Sequence, residues 1–517
     1  MILCRLLEDW EATPPRPGYN GESTDAKISR TSSQVSPAFP KEMIMAQSQR
    51  PLWIEDRIHR IETGLLLEQT LRSDAAQRST FAERMEFYLV PGVSIAIFDN
   101  YQIEWARGYG VREAGGSDTV TPRTLFQAAS ISKPVTALAV LSLVEQGKLD
   151  LDEDVNMYLT SWKIPANGSW QPRITLRHLP SHIGGTTVHG FPGYRRDHAV
   201  PTLLQVLDGQ KPANTAPIRV NAIPGTQFRY SGGGTNVVQQ LLVDRLEKPF
   251  PEIMSEFVLA PLGMEESTYA QPLPDERADS AATGHGWVTG SPVAGKWHVY
   301  PEMAAAGLWT TPSDLARVAI AIQKALAGQT GTLLSPGMAD QMLSPQAEIA
   351  WGGQIGLGFV LEGHGPSARF GHGGSNQGFQ CELVAFKAGG CGAAVMTNAD
   401  SGGAMIREIL RAIATEYGWP DYVPAAPDPA EVDPHIYDGY VGEYELRPGF
   451  AQTVTRAGDS LFLQPSGQAA MELFPESDTK FFLQAVDAEV SFTTEAGQIT
   501  ALVLHQNGQD MSAQKRR

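Results

Sequence analysis

Cysteine is scarce in this chain. Three cysteines occur among its 517 residues, Cys4, Cys381 and Cys391, and no two are spaced as C-x-x-C. Disulfide frameworks and cysteine-ligated zinc sites need paired or clustered cysteines. The sequence therefore predicts neither, and it favours a reducing, cytoplasmic location.

Long apolar runs and an excess of positive charge are also missing. No run of 18 or more apolar residues occurs, so no membrane span is predicted. The net charge is -17 and the pI is about 5.1, whereas nucleic-acid binding usually needs a basic face. We therefore expect neither a membrane nor a nucleic acid as a partner.

The first residues lack the features of a secretory signal. An acidic pair, Glu8 and Asp9, interrupts the apolar residues, and no A-x-A-like cleavage site follows. The polar, Ser/Pro-bearing stretch beyond it has too few apolar side chains to form a core. We expect residues 1–50 to form a flexible arm, with Met43 or Met45 as an alternative start.

Apolar patterning divides the remainder into two folded parts. Residues 51–418 give a helix, a strand pair, a helical middle, a second strand pair and a closing helix. The two strand sets can complete one antiparallel sheet flanked by helices, with an inserted helical lobe, which predicts an α/β (α+β) fold. Five prolines in residues 419–434 predict a semi-rigid linker. Residues 435–517 alternate short strands with turns and predict a small β-barrel.

The motif S-x-x-K occurs twice, which is about what chance gives in a chain of this length. Ser477 and Lys480 fall in a predicted turn between two strands of the barrel. Ser130 and Lys133 instead fall at the start of a strongly apolar helix, "SISKPVTALAVLSLVEQG". Only the second of these settings is suited to chemistry.

A serine and a lysine at the start of a helix have two interpretations. Residues three apart on a helix are neighbours, so Lys133 is predicted to reach the Ser130 hydroxyl. The positive helix N-terminus and the apolar wall disfavour a charged amine, and a neutral lysine accepts the serine proton. The alternative is that Ser130 merely caps the helix while Lys133 extends to solvent.

Two glycine-rich segments favour the catalytic interpretation. "FRYSGGGTN" contains Tyr230 and "RFGHGGSNQGF" contains His372, and glycine lets backbone approach a ligand closely. The order S-x-x-K, Y-S-G, H-G-G resembles the serine β-lactamase and penicillin-binding-protein superfamily. Segments such as "ITLRHLPSHIGG" and "GLWTTPSDLARV" extend the resemblance to the class C-like branch, which includes family VIII carboxylesterases, over roughly residues 52–418. Residues 435–517 resemble the lipocalin-like β-domain of many such hydrolases.

The resemblance implies a role for each motif residue. Ser130 is expected to be the acylated nucleophile, and Lys133 and Tyr230 the acid/base pair, with the division of the base role between them open. His372 is expected to hydrogen-bond the Tyr230 oxygen or to hold a carboxylate or carbonyl of the substrate. The backbone N–H groups of Ser130 and Ser375 are expected to form the oxyanion hole.

Glycines and asparagines near the motifs complete the predicted substrate site. Gly373 and Gly374 are expected to allow a close approach of the substrate, and Ser375 is expected to lie on the strand that follows the H-G-G turn. Gly232 stands where the branch has the asparagine of Y-x-N, so a side-chain amide that grips an amide substrate is missing. Asn236 and Asn376 are the candidates to replace it.

These departures shift the expected substrate from β-lactams toward esters. His372 is smaller and often neutral where a fixed cation would bind a β-lactam carboxylate. We predict a serine hydrolase acting on small esters through an acyl-enzyme, with no metal or organic cofactor, and consider a homodimer. The alternatives are a β-lactamase or D-aminopeptidase/D,D-peptidase, an acyltransferase or cyclase of natural-product metabolism, and a non-catalytic binding protein. His182 is expected to fix its loop through hydrogen bonds.

Overall fold

A computed structural model describes residues 52–65, 78–287, 289–350, 352–423, 429–447, 449–468, 470–483, 488–495, 497–506 and 509–516. The predicted arm of residues 1–50 lies outside these ranges. Within them, every helix is too short or too polar to cross a membrane.

An eight-stranded antiparallel sheet forms the centre of the first part of the chain. Its strands come from a set of twelve: β1 (Gly92–Asp99), β2 (Gln102–Gly110), β3 (Phe126–Gln127), β4 (Tyr194–Arg195), β5 (His298–Val299), β6 (Trp309–Thr310), β7 (Ala347–Glu348), β8 (Gln354–Ile355), β9 (Val360–Glu362), β10 (Arg369–Asn376), β11 (Phe379–Phe386) and β12 (Gly392–Thr397). The order is β2-β1-β12-β11-β10-β9-β8-β7, while β3 pairs with β6 and β4 with β5. The early strand β1 lies beside the late strand β12, with Val93 opposite Thr397. The prediction that two distant strand sets complete one sheet is confirmed.

Helices cover both faces of this sheet. The helices in this part of the chain are α1 (Leu52–Glu62), α2 (Phe81–Phe87), α3 (Ser132–Glu145), α4 (Leu203–Asp208), α5 (Gly232–Leu246), α6 (Phe250–Met254), α7 (Asp275–Ala278), α8 (Met303–Ala306), α9 (Pro312–Leu326), α10 (Pro336–Met342) and α11 (Gly402–Tyr417). A further short helix, α12 (Tyr437–Tyr440), packs with the barrel that follows it. Side chains of β1 alternate between two cores, since Ile95 packs with α1 and α11 while Ala96 packs with α3 and α9. A strand buried on both faces explains the continuous apolar run "VSIAIF".

Helix α3 is the central helix of the larger core. Nearly all of its residues are buried, which matches a sequence that is apolar on every side. Pro134 lies in the first turn, where its missing N–H costs no helical hydrogen bond. Gly147 follows the helix with a φ of 68°, a left-handed conformation that glycine adopts without strain.

A closed eight-stranded barrel forms the last part of the chain, as predicted. Its strands are β13 (Gly442–Arg447), β14 (Phe450–Ala457), β15 (Ser460–Pro465), β16 (Met471–Pro475), β17 (Lys480–Leu483), β18 (Ala488–Glu495), β19 (Gln498–Gln506) and β20 (Gln509–Lys515). Each strand pairs with the next, and β13 closes the barrel on β20. Before it, Trp419 packs edge-on against Phe386, so the residue predicted to open the linker is buried against the first sheet.

Candidate active site

Ser130 lies in a short 3-10 turn, Ala129–Ile131, which we call the serine turn. Ala129 has a φ of 49°, in the left-handed region that residues with a side chain rarely occupy. The turn precedes α3, so Ser130 and Lys133 span the junction of turn and helix. The expectation that both lie on one α-helix is corrected in this respect.

Ser132, inside the motif, anchors the serine turn. Its buried hydroxyl donates to the carbonyl of Ala129 at 2.5 Å and accepts from the N–H of Leu308 at 3.0 Å. The hydroxyl of Tyr269 donates to the Ser132 carbonyl at 2.9 Å. The sequence carried no signal for the contacts to Leu308 and Tyr269, because they join segments more than 130 residues apart. They support a strained backbone just before the candidate nucleophile.

Lys133 directs its amine at the candidate nucleophile. The side chain is buried, with 5% of the residue exposed. Its Nζ donates to Ser130 Oγ at 2.9 Å and to the carbonyl of Ala305 at 2.8 Å. Among the described residues no carboxylate pairs with it, so its closest contacts are a hydroxyl and a carbonyl. A lysine in this position is placed to exchange a proton with the serine.

The ring of Tyr230 lies beside this amine. Lys133 Nζ lies 5.0 Å from the ring centroid, within the range of a cation–π contact. The rings of His182 and His189 lie 4.3 and 4.9 Å from the Tyr230 ring, and the ring of His372 lies 6.1 Å away. No hydrogen bond joins the phenol to Ser130 or Lys133 among the described residues. Ser130, Lys133 and Tyr230 therefore lie close together, but only Ser130 and Lys133 are joined by a hydrogen bond.

His182 holds the backbone on both sides of Tyr230. Its Nδ1 accepts from the N–H of Ser231 at 3.2 Å, and its carbonyl accepts from the N–H of Arg229 at 2.8 Å. Burial, with a contribution from Lys133, holds the pKa of His182 well below its usual value. The imidazole is therefore neutral, and its hydrogen bonds fix the loop as the sequence predicted.

His372 lies in the middle of β10, not in a turn before a strand as predicted. Its Nδ1 donates to the carbonyl of Gly373 at 2.6 Å, because a carbonyl only accepts. Burial and the nearby Lys133 lower the pKa of His372 from 6.5 to about 4. The neutral ring thus keeps an unprotonated Nε2, which has no partner among the described residues. Among the described residues the predicted hydrogen bond to Tyr230 is not formed, and Nε2 is a buried, unpartnered acceptor.

The backbone N–H of Ser375 points away from β11. A two-residue turn makes Asn376 and Phe379 a hydrogen-bonded pair, so Ser375 and Gln380 form the next, non-hydrogen-bonded pair. Strand β9 pairs with β10 at residues 369–371, before this point. The N–H of the candidate nucleophile, second in its short helix, likewise has no acceptor within that helix. Neither N–H group is therefore used by the β10–β11 ladder or by the short helix, and their role as the oxyanion hole stays a prediction.

Gly374 lets β10 run against the serine turn. A Cβ at Gly374 would overlap both the Ala128 carbonyl oxygen and the Cys381 sulfur. Gly373 faces the opposite side of the sheet, where a Cβ would lie 2.8 Å from Glu382 Oε2. Of the two glycines predicted to allow a close approach, only Gly374 borders the serine turn.

The two asparagines predicted to grip a substrate amide are both buried. Asn376 Nδ2 donates to Gln127 Oε1 at 2.8 Å and to the carbonyl of Ala306 at 3.0 Å. Its amide nitrogen is committed to tying β10 to β3 and α8, which corrects the prediction of a substrate contact. Asn236 on α5 is fully buried, and neither atom of its amide has a partner among the described residues.

The second S-x-x-K pair has different surroundings. Ser477 Oγ accepts from the backbone N–H of Lys480 at 3.1 Å, so the serine closes a turn. Lys480 Nζ lies 2.8 Å from Glu476 and 2.9 Å from Glu489. Hydrogen bonds to these carboxylates raise the pKa of Lys480. The amine is held as an ammonium and cannot serve as a base.

A chain of three polar residues on the barrel was missed by sequence reasoning. Ser491 Oγ lies 2.7 Å from His505 Nε2, and His505 Nδ1 lies 2.7 Å from Asp510 Oδ1. Ser491 pairs with Lys480 on one side and Val503 on the other. Its backbone N–H is therefore engaged in the sheet ladder. This group of three residues therefore has no backbone donor positioned for an oxyanion, and it is a polar contact between neighbouring strands.

Comparisons with known proteins show the family to which this chain belongs. Residues 78–416 match the family model described as Beta-lactamase, and residues 426–515 match the model described as Domain of unknown function (DUF3471). Penicillin-binding protein 4* of Bacillus subtilis (strain 168) is 25% identical over 435 residues, which cover 80% of this chain and 92% of that protein.

Solved structures show the same fold. The octameric penicillin-binding protein homologue from Pyrococcus abyssi aligns with a TM-score of 0.60 at 21% identity, covering 84% of this chain and 97% of that one. The D-alanine carboxypeptidase AmpC from Burkholderia cenocepacia aligns with a TM-score of 0.54 at 18% identity, covering 70% and 99%. Since the matched family region is more than half of the chain and contains the serine, lysine, tyrosine and histidine described above, the chain belongs to the beta-lactamase family of serine hydrolases, homologous to penicillin-binding proteins.

Proposed function

We propose that this protein is a carboxylesterase that forms an acyl-enzyme on Ser130 and hydrolyses small esters. The observation that carries the proposal is the 2.9 Å hydrogen bond between Lys133 Nζ and Ser130 Oγ, in a buried setting where no described carboxylate pairs with the lysine. A nucleophile adjacent to a base is the arrangement that covalent catalysis requires.

The proposed reaction proceeds in two acyl transfers. Lys133 takes the Ser130 proton as Oγ attacks the ester carbonyl carbon, and the backbone N–H groups of Ser130 and Ser375 stabilise the oxyanion. The ester C–O bond then breaks, and the proton passes to the leaving alkoxide through Lys133 or Tyr230, which releases the alcohol. Water next attacks the acyl carbon, its proton returns by the same groups, and the acid leaves. These steps use no metal or organic cofactor.

His372 supports esters over β-lactams as substrates. Its ring is neutral and its Nδ1–H is engaged by the Gly373 carbonyl, so it supplies neither a positive charge nor a free donor to a substrate carboxylate. A β-lactam carries such a carboxylate, whereas a simple ester does not.

An amide hydrolase is the second candidate. Asn236 lies one helical turn beyond Gly232, and its buried amide is unpartnered among the described residues. A polar group buried in this way is usually satisfied by water or a ligand atom. It is the feature that favours an amide substrate.

Turnover of a matched panel tests these candidates. We expect kcat/KM for p-nitrophenyl acetate or butyrate to exceed that for nitrocefin and for D-alanine p-nitroanilide. Faster turnover of either amide substrate, the β-lactam nitrocefin or the anilide, would contradict the esterase proposal and favour the second candidate. Added alcohol that diverts most of the acyl group to a new ester would instead indicate an acyltransferase.

A further inference from the structure

An aromatic ring occupies the place beside Gly232. A Cβ at Gly232 would lie 2.9 Å from Cε2 of Phe191 and 3.2 Å from the carbonyl oxygen of His189. Both distances are shorter than a side chain normally tolerates, so any side chain here would displace the ring. The space next to the missing amide is therefore filled by an apolar group from another segment.

Backbone hydrogen bonds hold the segment that carries this ring. The N–H of Gly232 donates to the carbonyl of His189 at 2.9 Å, and the N–H of Gly233 donates to the carbonyl of Val188 at 3.0 Å. Val188 has a φ of 65°, so the segment bends sharply just before Phe191. The start of α5 thus fixes the position of the aromatic residue.

The segment that carries this ring also contacts Tyr230. Gly232 is two residues beyond Tyr230, and the ring of His189 lies 4.9 Å from the Tyr230 ring. Lys133 contributes to lowering the pKa of His189, after burial, so the segment is within the electrostatic reach of the amine. Phe191 is half-buried, which leaves part of its ring free to contact a bound molecule.

We propose that Phe191 and Gly232 form an apolar subsite that receives an alkyl or aryl group beside the scissile carbonyl. Phe191 supplies the contact surface, and Gly232 supplies no side chain to oppose it. The inference rests on the proposed esterase function and adds the class of substrate: esters with an apolar group at this position. Each buried methylene then favours binding by about fourfold.

Single and double variants test the subsite. Phe191→Ala should lower the ratio of kcat/KM for p-nitrophenyl butyrate to that for the acetate by about tenfold. Gly232→Asn should lower turnover of both esters because the new side chain meets the ring. In the double variant the ring is gone, so its activity should exceed the product of the two single effects by about tenfold. Gly190→Ala is the matched control, because a Cβ at Gly190 meets nothing within 4 Å.

Two substrate series identify which end of the ester uses the subsite. In the first series the acyl group of p-nitrophenyl esters is lengthened. In the second the alcohol is varied from methyl to benzyl butyrate, with acid release followed by pH-stat. If Phe191→Ala loses the preference for longer chains only in the first series, the subsite receives the acyl group. If it loses the preference for larger alcohols only in the second series, the subsite receives the alcohol.

The outcomes separate this inference from the proposed function. Ester turnover with a Ser130 adduct, but unchanged preference in both series for Phe191→Ala, overturns the subsite alone. Absence of ester turnover and of any adduct on Ser130 overturns the proposed function and the subsite together. Labelling of each variant by a fluorophosphonate shows that its site has folded.

Discussion

The two S-x-x-K pairs of this chain have the same spacing and different chemistry. Lys133 is buried and contacts a hydroxyl and a carbonyl, whereas the Lys480 side chain is 38% exposed and lies between two carboxylates. Ser130 projects from a strained turn beside β10, whereas Ser477 accepts a backbone hydrogen bond within a turn. Reactivity therefore follows from what surrounds the lysine, not from the motif.

The oxyanion donors differ between the two sites in the same way. Ser130 begins a helix and lies beside an open edge of β10, where backbone N–H groups have no ladder partner. The barrel is closed, and its strands are paired on both sides. A serine on such a surface has no pair of free backbone donors nearby. Variants at Lys133, at Gly374, at His372, and at Glu476 with Glu489 each change one part of this difference between the two sites.

The largest effect is expected from removing the buried amine. Lys133→Ala should lower kcat/KM for an ester by about 10³- to 10⁴-fold, since it removes the group that takes the serine proton. Lys133→Arg should be similarly impaired, because a guanidinium keeps its proton. The control Lys480→Ala should retain wild-type rates, and a comparable loss in that control would end the distinction between the two lysines.

The next effect concerns the close approach of β10 to the serine turn. Gly374→Ala should lower kcat by about 10²- to 10³-fold, because the new methyl group moves the Ser375 donor away from the oxyanion. KM should change much less than kcat. Gly337→Ala on α10 is the control, since a Cβ there meets nothing within 4 Å. Wild-type kcat in Gly374→Ala would show that this backbone is not an oxyanion donor.

A third effect is on stability in acid. The folded-state pKa of His372, about 4, lies below the ordinary value of 6.5, so the unfolded chain binds this proton first as pH falls. Because of His372, the free energy of unfolding should decrease as the pH falls from 6.5 to 4, by up to about 3 kcal/mol. His372→Gln should show a smaller loss over that range, whereas Lys480→Gln should behave as wild type.

Urea unfolding followed by tryptophan fluorescence measures this effect. All ten tryptophans precede residue 420, so the signal reports on the part of the chain that contains His372. If the free energy of unfolding of His372→Gln and of the wild type fell equally with pH, His372 would have the same pKa in the folded and the unfolded protein.

The smallest effect is expected at the exposed pair. Replacing Glu476 and Glu489 by Gln should lower the pKa of Lys480 toward its usual value of 10.5, as measured by NMR titration of labelled lysine. Because the folded-state pKa of Lys480 is raised, the ion pairs should stabilise the fold fully at pH values below the unfolded pKa of 10.5, and this contribution should be lost as pH rises through the higher folded-state pKa. The free energy of unfolding should change by less than about 1 kcal/mol. Labelling of Ser477 in this variant would show that carboxylates alone had suppressed it.

Much of the fold and part of the site followed from local pattern. Strands β1, β2, β11 and β12 follow apolar runs bounded by turn residues, and Pro134 and Gly147 mark the ends of α3. The contact between Lys133 and Ser130 followed from a spacing of three residues. Each of these features depends on neighbours in sequence.

The remaining features depend on contacts between distant segments. Phe191 fills the space beside Gly232 from 41 positions away, and no local pattern links them. Asn376 lies near the motif, but its amide is used by Gln127 and Ala306. The protonation state of His372 depends on burial, which a glycine-rich segment does not reveal.

The most direct test of the difference between the two S-x-x-K pairs is the identity of the serine that becomes acylated. The protein is mixed with p-nitrophenyl butyrate, quenched within one turnover, and its peptides are mapped by mass spectrometry. We expect one butyryl group on Ser130, none on Ser477 or Ser491, and neither adduct nor turnover in Ser130→Ala. A butyryl group on another serine, or ester hydrolysis that survives Ser130→Ala, would contradict the account.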